Sequence, residues 1–226
     1  MYDSDMEKHI FDKQVVCPVC QNKFKTKAIK VKSPRISSKD SDFFIRYYIA
    51  NPYFYDVWIC NSCGYAAMKV DFDKIKFYKK DLILKNITSK WKPRNYPDVL
   101  NEKLAIERYK LALLNAVVGE FNSSTKAMIL LKIAWMYRLL EDINSENSYL
   151  SQSLELFKDA YSKEDFPIYG MQRESLMYLI GDLNRRLNNN EEALLWYSKA
   201  LTTVGAPYKI KELARNGKNL IKTNNI

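Results

Sequence analysis

The spacing of apolar positions along the chain changes once, near residue 71. Before that point the pattern is short and alternating. Lys23 to Lys32, read as Lys-Phe-Lys-Thr-Lys-Ala-Ile-Lys-Val-Lys, predicts a strand. From Asp71 the interval lengthens to three or four residues, and Phe72, Ile75, Tyr78 and Leu82 mark one face of a predicted helix. Pro93 and Pro97 fall about one helical turn apart, where a helix interior tolerates neither. The stretch from Trp91 to Pro97 therefore predicts a boundary, with a small β region and trailing helix in residues 1–97 and a helical region in 98–226.

Within the helical region one spacing recurs: a small residue, an aromatic four later, an alanine three later. Ala105, Tyr109 and Ala112 fit it, as do Ser153, Phe157 and Ala160, and Ala193, Tyr197 and Ala200. Small residues let a neighbouring helix approach while the aromatic fills the gap between successive hairpins. The third copy, with Gly181 before it and Pro207 after it, is similar to a tetratricopeptide repeat. The copies are 48 and 40 residues apart, against about 34 for the regular repeat, so enlarged connections are expected. An ordinary helical bundle is the alternative reading. If the array leaves a concave groove, Trp135 and Arg138 on one helix and Tyr178, Asp182, Arg185 and Arg186 on the next are its candidate lining for a partner protein or peptide. Arg185 and Arg186 also read as a solvated helix end.

Composition adds compartment and charge. At 226 residues with 47% hydrophobic side chains, the chain can bury a sizeable core. The start, Met1 to Lys8, is polar where an export signal needs a basic tip and an apolar run, and no stretch approaches the roughly 18 apolar residues of a membrane span. A soluble cytoplasmic protein is expected. The net charge of +10 belongs to the front: residues 1–97 hold 19 Lys/Arg against 10 Asp/Glu, and residues 98–226 hold 17 against 16.

All four cysteines pair at one spacing, Cys17-Pro18-Val19-Cys20 and Cys60-Asn61-Ser62-Cys63-Gly64. A tight turn between two cysteines aims both sulfurs at one point, and two such turns close a tetrahedral shell around one zinc ion. Gly64 permits the positive torsion such a knuckle often needs. Two disulfides would require an oxidising compartment. A redox turn would require a long helix after Cys20, where the alternating strand stands instead, and would leave the second pair unexplained. Four thiolates leave no open position for a metal-bound water, so the expected ion is structural. His9 has no partner at ligand spacing and reads as a surface residue.

About 40 residues separate the pairs, enough to form structure of their own. Lys23 to Lys39 holds seven cations and no acid, and Tyr47, Tyr48, Tyr53, Phe54, Tyr55 and Trp58 follow. Basic residues beside aromatics suit single-stranded nucleic acid, with Lys25, Lys27 and Lys30 as candidate phosphate contacts; packing in a shallow core is the favoured reading, since no base-reading motif appears. Asp40 and Asp42 invite comparison with a paired-carboxylate hydrolase using Arg46, or with a turn whose acids pair with Arg35 or Arg46.

Taken together, Cys17 to Cys20, Phe24-Lys25-Thr26, Arg35, Asp40-Ser41-Asp42-Phe43, Asn51 to Cys60 and Cys63-Gly64-Tyr65-Ala66-Ala67 resemble a bacterial family called domain of unknown function 2225. The resemblance covers much of the chain, is densest from Cys17 to Phe72, and implies a metal-binding cytoplasmic protein with no assigned reaction. The expected architecture is mainly α, with a small N-terminal zinc-knuckle, ribbon-like β domain and a C-terminal array of tetratricopeptide-like helical hairpins. The expected function is that of a non-enzymatic, zinc-stabilised adaptor. A nucleic-acid-binding protein is the alternative and a hydrolase the last.

Overall fold

The computed structural model describes residues 6–223, so most of the polar start, Met1 to Asp5, lies outside the described residues. The front of the chain forms three separate antiparallel ribbons. Strand β1 (Ile10–Val16) pairs with β2 (Lys23–Ile29), β3 (Arg35–Lys39) with β4 (Ile45–Ile49), and β5 (Val57–Ile59) with β6 (Ala66–Met68). The strand expected over Lys23 to Lys32 ends at Ile29, because Ser33 N–H turns back to the Lys30 carbonyl ahead of Pro34. A lone two-stranded ribbon is marginal in water. Each must lean on something else.

Helix α1 (Phe77–Asn86) starts later than its apolar pattern suggested. Phe72 and Ile75 are buried, but in the 3-10 turn and connector before it, and the helix buries Lys79 and Ile83 while Tyr78 is exposed. The register is shifted by Lys79, whose stem is covered while its ammonium lies over the Phe121 ring and donates to the Glu120 carbonyl.

Six further helices follow: α2 (Glu102–Val118), α3 (Ser123–Leu139), α4 (Ile143–Lys163), α5 (Arg173–Arg186), α6 (Asn190–Thr202) and α7 (Tyr208–Thr223). Short loops fold α3 against α4 and α5 against α6 as hairpins, α4 packs on α5, and α7 covers α6. The three small–aromatic–alanine triplets lie on α2, α4 and α6, and every member is buried. Their purpose is close approach. Ser153 Oγ donates to the Ala127 carbonyl of α3 at 2.8 Å. A Cβ on Gly181 would stand 2.8 Å from the Tyr197 ring, and one on Gly217 would meet the same ring, so this tyrosine is seated between two glycines. None of the described helices is long and apolar enough to cross a membrane.

Pro97 falls in the irregular stretch between α1 and α2, and the apolar core runs across it. Phe44, Val57, Ile59, Ala66 and Met68 pack in one cluster with Ala105, Tyr109, Ala112 and Ala116 of α2. One core cluster thus spans the expected boundary, with ribbon β5–β6 lying against α2, while a second gathers the cysteines with Trp58, Tyr65 and Phe72.

Candidate metal centre

The two cysteine turns join the ends of two ribbons and are built alike. In each, a cysteine directly follows a strand, and its amide donates to the carbonyl five residues on: Cys17 to Asn22 at 2.9 Å, Cys60 to Tyr65 at 2.8 Å. In each, the residue four positions on donates back to that cysteine's carbonyl, Gln21 to Cys17 and Gly64 to Cys60. That residue has a positive φ in both, 62° at Gln21 and 76° at Gly64. Positive φ alone therefore does not dictate glycine here. At Gly64 a Cβ would lie 2.5 Å from the Trp91 ring, so it is the packed indole that excludes a side chain.

The second turn is held from several sides. Trp91 Nε1 donates to the Asn61 carbonyl at 2.9 Å, Thr88 Oγ1 to the Cys63 carbonyl at 2.8 Å, and Asn115 Nδ2 to the Gly64 carbonyl at 3.2 Å. The Asn61 side chain exchanges hydrogen bonds with the Arg94 backbone. These supports were missed from the sequence, where no spacing links them to the cysteines.

The four sulfurs converge. All lie within 4.8 Å of one another, with Cys17 to Cys63 and Cys20 to Cys60 both at 3.6 Å. A disulfide needs about 2.05 Å. Tetrahedral ligands at the usual zinc–sulfur distance of about 2.3 Å stand about 3.8 Å apart, which is what the cluster offers. Thiol hydrogen bonds from Cys17 and Cys63 hold Cys60 well below the usual thiol range, while Cys17, through its bond to Cys60, and Cys63, through its bonds to Cys17 and Cys60, are pushed above it. Four thiolates packed this closely would repel one another, and a cation held among them would offset that repulsion. Cys17, Cys20, Cys60 and Cys63 together can hold one metal ion.

A family model described as an uncharacterized protein conserved in bacteria (DUF2225) matches residues 10–221. The chain belongs to the DUF2225 family. No curated protein and no solved structure matches it. In this DUF2225 chain the matched span contains both cysteine turns and all seven helices except the last two residues of α7.

The remaining candidate residues form a second polar cluster rather than an open groove. The tip of the β3–β4 hairpin, Asp40 to Phe44, is inserted against α3 and α5. Arg138 bonds Asp42 through both terminal nitrogens at 3.0 and 2.7 Å, Asp40 at 2.9 Å and Glu146 at 2.7 Å. Trp135 Nε1 donates to Asp42 at 3.0 Å, and its ring stacks on Phe44 at 5.2 Å between centroids. Tyr178 donates to the Ser41 carbonyl, Ser41 donates to Asp182, and both Arg185 and Arg186 bond Ser41 Oγ and Asp182. The expectation that Trp135, Arg138, Tyr178, Asp182, Arg185 and Arg186 face a partner is thereby corrected: the chain's own hairpin lies on them. Arg185 and Arg186 are half-buried in this cluster, not a solvated helix end.

Asp40 pairs with Arg46, as one reading had it, while Arg35 turns to the Lys32 and Pro34 carbonyls. Burial alone would raise the Asp42 carboxyl; the Arg138 hydrogen bonds and the charge of Arg186 hold it below the usual range instead. Neither acid is placed as a proton donor. Of the basic set, Lys27 is held by Asp12 and Asp98 at 2.9 and 2.8 Å and Lys30 donates to the Lys8 carbonyl, leaving Lys25 exposed. His9 bonds Ser33 at 3.0 Å.

Proposed function

We propose that the chain is a non-enzymatic, cytoplasmic scaffold, in which one structural zinc ion sets the front ribbons and a tetratricopeptide-like helical array recruits a partner protein. The observation that carries this reading is the convergence of four sulfurs on two ribbons, one of which is packed into the helical core. Zinc suits four thiolates, and the shell leaves no position for substrate or water. Asp40 and Asp42, the acids a hydrolase would use, are engaged by arginines. The nucleic-acid alternative draws on Lys25, Lys27 and Lys30, but two of the three are tied to the chain itself. Recruitment is supported instead by apolar side chains left at the surface of α1 and α2, with Phe77 80% and Val117 57% exposed and Tyr78 and Leu114 beside them in the same class.

Two measurements test the reading. Elemental analysis of the purified chain is expected to give one zinc per molecule. A partner captured by cross-linking in cells, then purified, is expected to bind the zinc-loaded chain saturably, and to bind the Leu114→Ser, Val117→Ser double variant about tenfold more weakly. Absence of stoichiometric metal sinks the first half of the proposal; partner binding unchanged in the double variant sinks the second.

A further inference from the structure

One cation in the core has no counter-charge. Arg108 of α2 is only 6% exposed. Its Nη2 donates to the Val57 carbonyl, its plane lies 5.0 Å from the Tyr96 ring centroid, and its Nε is buried with no partner. Among the described residues no carboxylate lies within ion-pair distance of it, and the neighbouring Glu107 is taken by Arg94 at 2.5 Å and by the Tyr96 hydroxyl at 2.9 Å. A guanidinium removed from water without a charged partner is costly and calls for an explanation.

Arg108 lines a cavity of about 420 Å³ between β2, the segment leading to α2, and α2 itself. Phe24, Lys25, Lys27, Arg94 and Tyr96 line it as well. The acids on its wall, Asp12 and Asp98, both pair with Lys27, and the four cations of the lining, Lys25, Lys27, Arg94 and Arg108, outnumber them. The cavity is therefore cationic, bounded by two aromatic rings, and of the size that takes a small molecule. Nη2 is used on the Val57 carbonyl and Nε is sealed from solvent, so Nη1, which has no hydrogen bond among the described residues, is the donor that would meet an oxyanion, and partial burial strengthens the attraction.

We propose that this cavity binds a small molecule bearing a phosphate or carboxylate group, with Arg108 as the buried anchor and Arg94 and Lys25 at the rim. The site is separate from the sulfur cluster and stands whether or not the chain recruits a protein. The test is calorimetric titration of the zinc-loaded full chain with sodium phosphate, sodium citrate and sodium chloride at matched ionic strength. Phosphate or citrate is expected to bind saturably while chloride does not, and the two oxyanion arms identify the preferred group. Arg108→Met is expected to abolish binding. Because that substitution alters the core, Arg94→Gln and Lys25→Gln test the same site from its rim, each weakening binding by about tenfold with the thermal midpoint within a few degrees of the parent. Oxyanions that bind no better than chloride, or bind the parent and both rim variants equally, overturn the proposal.

Discussion

Two polar clusters fasten the front of the chain, one to its helices and the other ribbon to ribbon, and they differ in how they balance charge. Around the hairpin tip, Asp40, Asp42, Glu146 and Asp182 stand against Arg46, Arg138, Arg185 and Arg186, four acids and four bases within hydrogen-bonding reach. That cluster is complete in itself. The four sulfurs have no cationic side chain paired with them among the described residues, and together they can hold one metal ion. The contrast also singles out Arg108, the converse case of a buried cation with no carboxylate at ion-pair distance among the described residues.

The largest effect expected from this difference is that of metal removal. Structural zinc sites of this ligand type contribute about 10 to 16 kcal/mol of apparent binding, coupled to folding. Chelation should abolish hydrogen-exchange protection in β1–β2 and β5–β6 while amides of α5 to α7 keep theirs. Ribbons that remain protected after metal is withdrawn would erase the distinction between the clusters.

Next in size is Asp42→Asn, which leaves the buried cluster with one arginine charge in excess, since Arg138 keeps Asp40 and Glu146 but loses its most deeply buried carboxylate, and is expected to cost about 3 to 5 kcal/mol in urea unfolding. Combining it with Arg138→Met should cost clearly less than the sum of the two single changes, since both remove the same pair. Acid sharpens the point. Burial opposes ionisation of Asp40 and Asp42, yet Arg46 and Arg138 at the one, and Arg138 and Arg186 at the other, hold both below the ordinary 3.8. With folded values below unfolded ones, the stabilisation is complete well above about 4 and disappears as pH falls through the folded values, because the unfolded chain takes up protons first. The stability gap between parent and Asp42→Asn should therefore narrow below about pH 4. A gap independent of pH would mean the carboxylate's charge is not what the arginines recognise.

Smaller changes separate the two knuckles. Gly64→Ala forces a methyl into the Trp91 ring at a positive φ and should cost about 1 to 3 kcal/mol. Gln21→Gly at the matching position should change stability by less than about 1 kcal/mol, as glycine is at ease in that conformation. Equal effects at the two sites would show that the indole contact does not distinguish them.

The sulfur site was legible because its information is local: each Cys-x-x-Cys turn carries half a shell, and the two halves are easily matched. The triplets on α2, α4 and α6 were legible for the same reason, their spacing being that of one helix face. The hairpin clamp was not, since Asp42 meets Arg138 across 96 residues and Ser41 meets Asp182 across 141, and only the topology brings them together. The repeat pattern read the same residues as the lining of a groove, but nothing in a linear pattern says that the chain's own hairpin lies on them. Lys79 and Arg108 were passed over because a lone cation in a helix ordinarily faces water.

The reach from Ser41 to Asp182 also imposes an order of events during synthesis. At about 5 to 20 residues per second, the hairpin is made roughly seven to thirty seconds before its last arginines exist. Both cysteine turns are available long before then. The two sulfur turns can thus meet early, whereas the arginine latch can close only once the fifth helix has been made.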